Sequence, residues 1–204
     1  HTTLAIHKPK GIVTTKSDER GRETVFDLLP RHLRTLNHVG RLDRDSEGML
    51  VLTNDGDLSQ SLMHPSKNVE KEYLVTSNQP VLNEHLDLFR SGVFVEKTRM
   101  RAKEVDRISS RRYRIVLETG LKRQIRVMFD ALGYKVQKLV RVRIGSLEID
   151  DLPLGGSNRT NFMAHAVLNF FNEGGVRLYV ARVANGAAAA AGAGAYGFPQ
   201  RQRL

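Results

Sequence analysis

The chain has 204 residues, 32 Lys and Arg against 22 Asp and Glu, a net charge of +10 at pH 7, and no cysteine. That length suits one good core, or one domain of ordinary size with an appendage. The missing cysteines exclude disulfides and thiolate metal sites and suit a reducing compartment. With no signal-peptide core and no run of 18 apolar residues, a soluble cytoplasmic protein is the expectation.

In chain order, Leu4 to His7 and Met49 to Thr53 read as short strands, the second closed by an Asn-Asp-Gly turn. Asp57 to Met63 reads as a helix opened by an Asp cap and ended before Pro65. Glu72 to Thr76 and Tyr113 to Glu118 read as strands again. Ile125, Met128, Phe129 and Leu132 share one face of a helix predicted over Gln124 to Leu132, which Gly133 closes. Val136 to Val142 and Ile144 to Ile149 complete a β-rich core, so the pattern favours a mixed α+β fold with a largely antiparallel sheet. Further on, Phe162 to Phe171 has helical spacing, and Val176 to Val183 is strand-like after Gly174-Gly175. The Ala/Gly run from Gly186 to Ala195 has no side chains able to build a core and reads as a linker or tail.

Polar residues crowd around Asp43, between Gly40 and Gly48, and then give way to the apolar run from Met49. Arg41, Asp43 and Arg44 therefore fall on a loop feeding a buried strand, where functional groups concentrate. The positive charge is uneven as well. Between Arg99 and Arg143 there are fourteen basic residues and four acidic ones, which equals the whole net excess. This segment has the composition of a polyanion-binding face, nucleic acid above all, and Arg111, Arg112, Lys122 and Arg123 are its candidate contacts. A solvated basic surface is the plainer alternative. His38, His64 and His85 show no metal-ligand spacing, so no metal site is expected.

The run Gly40 to Gly56, then His64-Pro65-Ser66 and Glu70-Lys71-Glu72-Tyr73-Leu74-Val75, resembles the signature of the pseudouridine synthases, specifically the bacterial family that modifies ribosomal RNA. Lys8-Pro9-Lys10-Gly11 resembles the family's opening Lys-Pro-x-Gly motif. Leu117 to Met128, Arg141-Val142-Arg143-Ile144-Gly145 and Leu152-Pro153-Leu154-Gly155 resemble its later blocks. The resemblance covers about residues 4 to 156, all blocks in order. It implies a pseudouridine synthase fold, a bent, mostly antiparallel mixed sheet with flanking helices and a central catalytic cleft.

The implied activity is the isomerisation of a uridine in structured RNA, ribosomal RNA first and transfer RNA as an alternative, by a monomer that needs no cofactor. The resemblance makes Asp43 the catalytic carboxylate and Arg126 its partner, since an Arg can hold a carboxylate through two parallel bonds. It makes Tyr73 the ring that stacks on the target uracil, and Arg41 a residue that enters the space left by the flipped nucleotide. Arg44 is a further substrate contact, while Lys8, Pro9 and Gly11 are architectural. Each role has a plainer rival: Asp43 could satisfy turn donors, Arg126 could pair with Asp130, Tyr73 could be a strand aromatic, and Arg41 could contact a phosphate.

Family members often carry a small RNA-binding module before the Lys-Pro-x-Gly motif, whereas seven residues precede Lys8. A module-less subtype or a truncated chain is expected. The resemblance stops after Gly156, and His165 to Val183 is similar to a segment of contractile phage tail-sheath proteins. The expected organisation is a catalytic domain over 1–156, a helix-strand appendage over 157–185 and a low-complexity tail over 186–204. A non-catalytic RNA-binding protein and a phage-type structural fusion are the alternatives.

Overall fold

The computed structural model describes residues 1–148 and the backbone of two further segments, 165–171 and 177–182. Strand β1 (Thr3–Lys8) is buried at nearly every position, so it belongs in the middle of a sheet covered on both faces. After a loop region, β2 (Asn37–Val39) and β3 (Glu47–Thr53) follow. Strands β1 and β3 pair antiparallel from Thr3 opposite Thr53 to Lys8 opposite Gly48. Helix α1 (Gly56–Met63) starts at Asp55, whose side chain accepts the Leu58 amide at 3.0 Å, an acidic cap two residues before Asp57.

Strand β4 (Lys71–Ser77), helix α2 (Asn83–Ser91), the hairpin β5 (Val93–Val95) and β6 (Thr98–Met100), strands β7 (Glu104–Ser109) and β8 (Arg112–Leu117), helix α3 (Gln124–Ala131), β9 (Val136–Ile144) and β10 (Leu147–Glu148) come next. Two more strands, β11 (His165–Phe171) and β12 (Arg177–Arg182), complete the described elements. The large sheet runs β11-β12-β1-β3-β9-β4-β8-β7, with β10 beside β9 and β2 beside β3. Its pairings are antiparallel except β3 with β9, where Glu47 lies opposite Val140 and Gly48 opposite Arg141. The class is α+β, as the pattern predicts.

That parallel junction depends on Gly48. Its φ is +106°, and a Cβ there would lie 2.6 Å from the Arg141 amide nitrogen and closer still to its carbonyl oxygen. Only a residue without a side chain lets the two backbones approach. Separate cores flank the junction. One packs α2 and α3 on β4 and β8, with Phe89 stacked on Phe129 at 4.7 Å. The other sets Ile12, Val25, Phe26, Leu29 and Leu36 against β1 and β3.

Several expectations are refined. Residues His165–Phe171 form strand β11 and not a helix, because the segment hydrogen-bonds to β12, which in turn pairs with β1. The first of the two strands expected between Val136 and Ile149 runs on to Ile144, and the second, β10, begins only at Leu147. Helix α2 and strands β2, β5, β6 and β7 were not anticipated. The Leu152 to Gly155 turn, residues 157–164 and the Ala/Gly run lie outside the described residues. Among those described, no helix is long and apolar enough to cross a membrane.

Candidate active site

Asp43 sits in the loop between β2 and β3, in a turn closed by the Ser46 amide on the Asp43 carbonyl at 3.0 Å. The loop is held from below mostly through its carbonyl groups. Lys8, at the end of β1, is fully buried, and its ammonium donates to Ser46 O at 2.8 Å, to Pro9 O at 2.9 Å and to Arg44 O at 3.5 Å. Gly11 and Arg44 are bonded both ways, the Gly11 amide to Arg44 O at 2.8 Å and Arg44 Nε to Gly11 O at 3.2 Å. Thr14 Oγ1 donates to Leu42 O at 2.9 Å. The Lys-Pro-x-Gly stretch is thus the cradle of the Asp43 loop, which gives its architectural role a physical content.

Two arginines, Arg126 half-buried and Arg141 buried, complete the support. Arg126, on α3, donates through Nη2 to Asp45 O at 2.8 Å, with Ser46 Oγ at 3.4 Å, and through Nη1 to Val136 O at 3.0 Å. Arg141, on β9 and 3% exposed, donates through Nε to Met49 O at 2.8 Å and approaches Arg41 O at 3.4 Å, so it clasps both ends of the loop. Its Nη2 is buried with no partner among the described residues. Burial pushes the Lys8 pKa down to about 8, with Glu47, Asp43 and Asp45 opposing and Arg141 adding to the shift. Burial and Arg123 lower that of Arg126 in the same way.

The direct ion-pair partner of Asp43 differs from the expected one. Arg123 Nη1 lies 3.7 Å from Asp43 Oδ2 and 3.9 Å from Asp45 Oδ2, whereas Arg126 is engaged by main-chain carbonyls. The cause is local geometry. Arg123 takes a left-handed φ of +54° just before α3, which turns it towards the Asp43 loop, while Arg126, one turn on, reaches beneath that loop. Half-exposed pairs such as Arg123 with Asp43 are worth only about 0–1 kcal/mol, so Arg123 steers more than it stabilises.

Asp43, Arg41 and Arg44 line a cleft of about 440 Å³ whose opposite wall is the segment Val13 to Arg22. That wall is stiffened by Asp18, which accepts the Arg20 and Arg22 amides at 3.1 and 2.9 Å and pairs with the Arg22 guanidinium at 2.6 Å. Nothing in the sequence reading singled it out. Arg41 and Lys122 are exposed, and their side chains have no partner among the described residues. Tyr73 lies on β4 opposite Arg141, partly buried against the α2/α3 core. Arg111 and Arg112 stand apart, at the β7–β8 connection near the far edge of the sheet. Among the described residues no group of three or more His, Asp or Glu could hold a metal ion.

The basic segment is less available than its count suggests. Arg143 pairs with Glu70 and Glu72, Arg114 with Glu72, Glu104 and Asp106, and Lys103 with Glu70 and Glu118. Two of these acids, Glu70 and Glu72, lie outside the Arg99–Arg143 segment, so a charge count along that segment omits them.

The sequence matches the RNA pseudouridylate synthase family over residues 2–131. It is 38% identical over 152 residues to the dual-specificity RNA pseudouridine synthase RluF of Escherichia coli (strain K12), covering 74% of this chain and 52% of that protein. An uncharacterized RNA pseudouridine synthase of Mycobacterium leprae is 41% identical over 159 residues, covering 72% of this chain and 60% of that protein. The chain therefore spans about half the length of the curated relatives it matches. A crystal structure of a pseudouridylate synthase superposes with a TM-score of 0.68 at 30% identity, covering 73% of this chain and 65% of that one.

Proposed function

Because the chain belongs to the RNA pseudouridylate synthase family, we propose that it isomerises a uridine to pseudouridine in structured RNA, ribosomal RNA first, with Asp43 as the catalytic carboxylate. The reaction breaks the bond from N1 to C1′, turns the uracil and joins C5 to C1′; C5 then loses its proton and N1 gains one. No electrons are gained or lost overall, so the chemistry calls for a positioned carboxylate and a clamp on the detached base, and for no redox cofactor. Asp43 supplies the carboxylate lining the cleft, and Tyr73 supplies a ring for stacking. Arg41 and Lys122, exposed and without a side-chain partner among the described residues, supply phosphate contacts.

The observation that carries this reading is the support under Asp43. Two buried cations, Lys8 and Arg141, and the half-buried Arg126 converge on the carbonyls of the Asp43 loop and the start of β3. Burying cations is costly and needs compensating bonds, so this effort to immobilise a loop suits a group that must hold its aim during a reaction. Asp43→Asn keeps the shape and removes the charge. It is expected to abolish pseudouridine formation while leaving RNA affinity close to that of the wild type. Conversion near the wild-type rate by the Asn variant would overturn the assignment. If the wild-type chain binds structured RNA without converting any uridine, the protein is an RNA-binding member of the fold.

A further inference from the structure

The hairpin of β5 and β6 has two unlike faces. Val93, Val95 and Met100 pack into the α2/α3 core, while Phe94 stands 73% exposed directly opposite Arg99 on the other face. The turn residues Glu96 and Lys97 both adopt left-handed φ, +47° and +69°, the tight turn whose twist matches its strands, so this ribbon is stiff. Arg99 is fixed as well. It lies across Gly92 and donates to Ser91 O at the end of α2. Lys97 and Arg101 are exposed, and their side chains have no partner among the described residues.

The ribbon is tied to the cleft. Gln124, the first residue of α3, donates through Nε2 to Arg101 O at 2.9 Å and is itself held by Thr119 at 2.8 Å. The preceding residue is Arg123, which faces Asp43. We propose that the outer face of this hairpin is a second RNA contact, on which Phe94 stacks an unpaired base flanking the target uridine while Lys97 and Arg101 meet its backbone phosphates. An exposed aromatic ring among cations fits a polyanion with flat apolar faces, which describes single-stranded nucleic acid. Glu96 is the hairpin's one acid against Lys97, Arg99 and Arg101, a balance that favours a polyanion over an acidic-basic mosaic. This rests on the RNA substrate proposed above and adds a residue outside the Asp43 cleft.

The test is binding of the full chain to two RNAs of equal length, a stem–loop with an unpaired loop and a fully paired duplex. Phe94→Ala is expected to weaken stem–loop binding about tenfold and to spare duplex binding, because one stacked base is lost. Phe94→Trp is expected to retain the affinity. Arg101→Ala is expected to weaken both and to lower the salt slope by about one. Equal stem–loop affinity of Phe94→Ala and wild type overturns the proposal, as does an equal loss on both RNAs. A change of oligomeric state in Phe94→Ala overturns it in favour of contact between copies of the chain. Turnover is not read here, so a chain that binds RNA and converts none of it refutes the synthase reading and leaves the ribbon to be judged by affinity.

Discussion

Lys8 brings an ammonium group to a place water does not reach, and a buried charge is tolerated there only because three carbonyls surround it. Replacing it by Met keeps most of the volume and leaves those carbonyls unmet, so Lys8→Met is expected to lose roughly 3 kcal/mol in denaturant unfolding. The pH dependence has a definite sign. The folded pKa, about 8, lies below the ordinary lysine value of 10.5, so between those limits the unfolded chain holds a proton that the folded chain has released. Unfolding free energy from this group therefore rises with pH across that window, and the cost of burying the charge is felt in full below it. The stability gap between wild type and Lys8→Met should widen from pH 8 towards 10.5; a constant gap would mean that Lys8 does not titrate there. At this scale the sequence names Asp43, Arg126 and Lys8 through their motifs but conceals their partners. Arg126 bonds to the Asp45 carbonyl, and a main-chain acceptor leaves no mark in a pattern of side chains. Arg123 reaches Asp43 because of its left-handed φ, which residue type alone does not announce.

Among the elements, the meeting of β3 and β9 matters most for the site, since it joins the Asp43 loop to the strand that carries Arg141. Gly48→Ala would place a methyl group against the Arg141 backbone and require a φ of +106° from a residue with a side chain. The expected cost is at least about 3 kcal/mol, with conversion lost even where the variant remains folded, because the loop separates from β9. A variant with wild-type stability would show that the two strands can part without consequence. Elements with strong local signals were legible: β3 by its unbroken apolar run, α1 by its Asp cap, and α3 by Ile125, Met128 and Phe129 on one face. Helix α2 was not, since it has no side-chain cap at its start and buries only Leu86 and Phe89. Strand β11 was misread because a short apolar run such as His165 to Phe171 fits either period, and pairing with β12 decides it.

The whole molecule turns on how its two ends share one sheet. Strand β1 carries Lys8, and so the support of Asp43, and it lies between β3 and β12, with Thr3 opposite Ala181 and Ile6 opposite Leu178 on the β12 side. If the catalytic unit ends near Gly156, as the extent of the motifs suggests, a chain stopped there keeps β1 on β3 and every residue assigned to the cleft. It also loses β12, which leaves the β1 backbone from Thr3 to Ile6 with unpaired N–H and C=O groups along a flat apolar strand. Such an edge invites pairing with another chain. A chain ending at Gly156 is therefore expected to convert uridine at 25 °C, to melt several degrees lower and to self-associate as its concentration rises, read by thermal unfolding and light scattering. Two outcomes would decide otherwise. An unchanged melting temperature with a monodisperse chain would make β11 and β12 dispensable to the sheet, in keeping with a boundary at Gly156. Loss of folding would make them part of the catalytic unit, because Lys8 then cannot hold the Asp43 loop without the strand that backs its own.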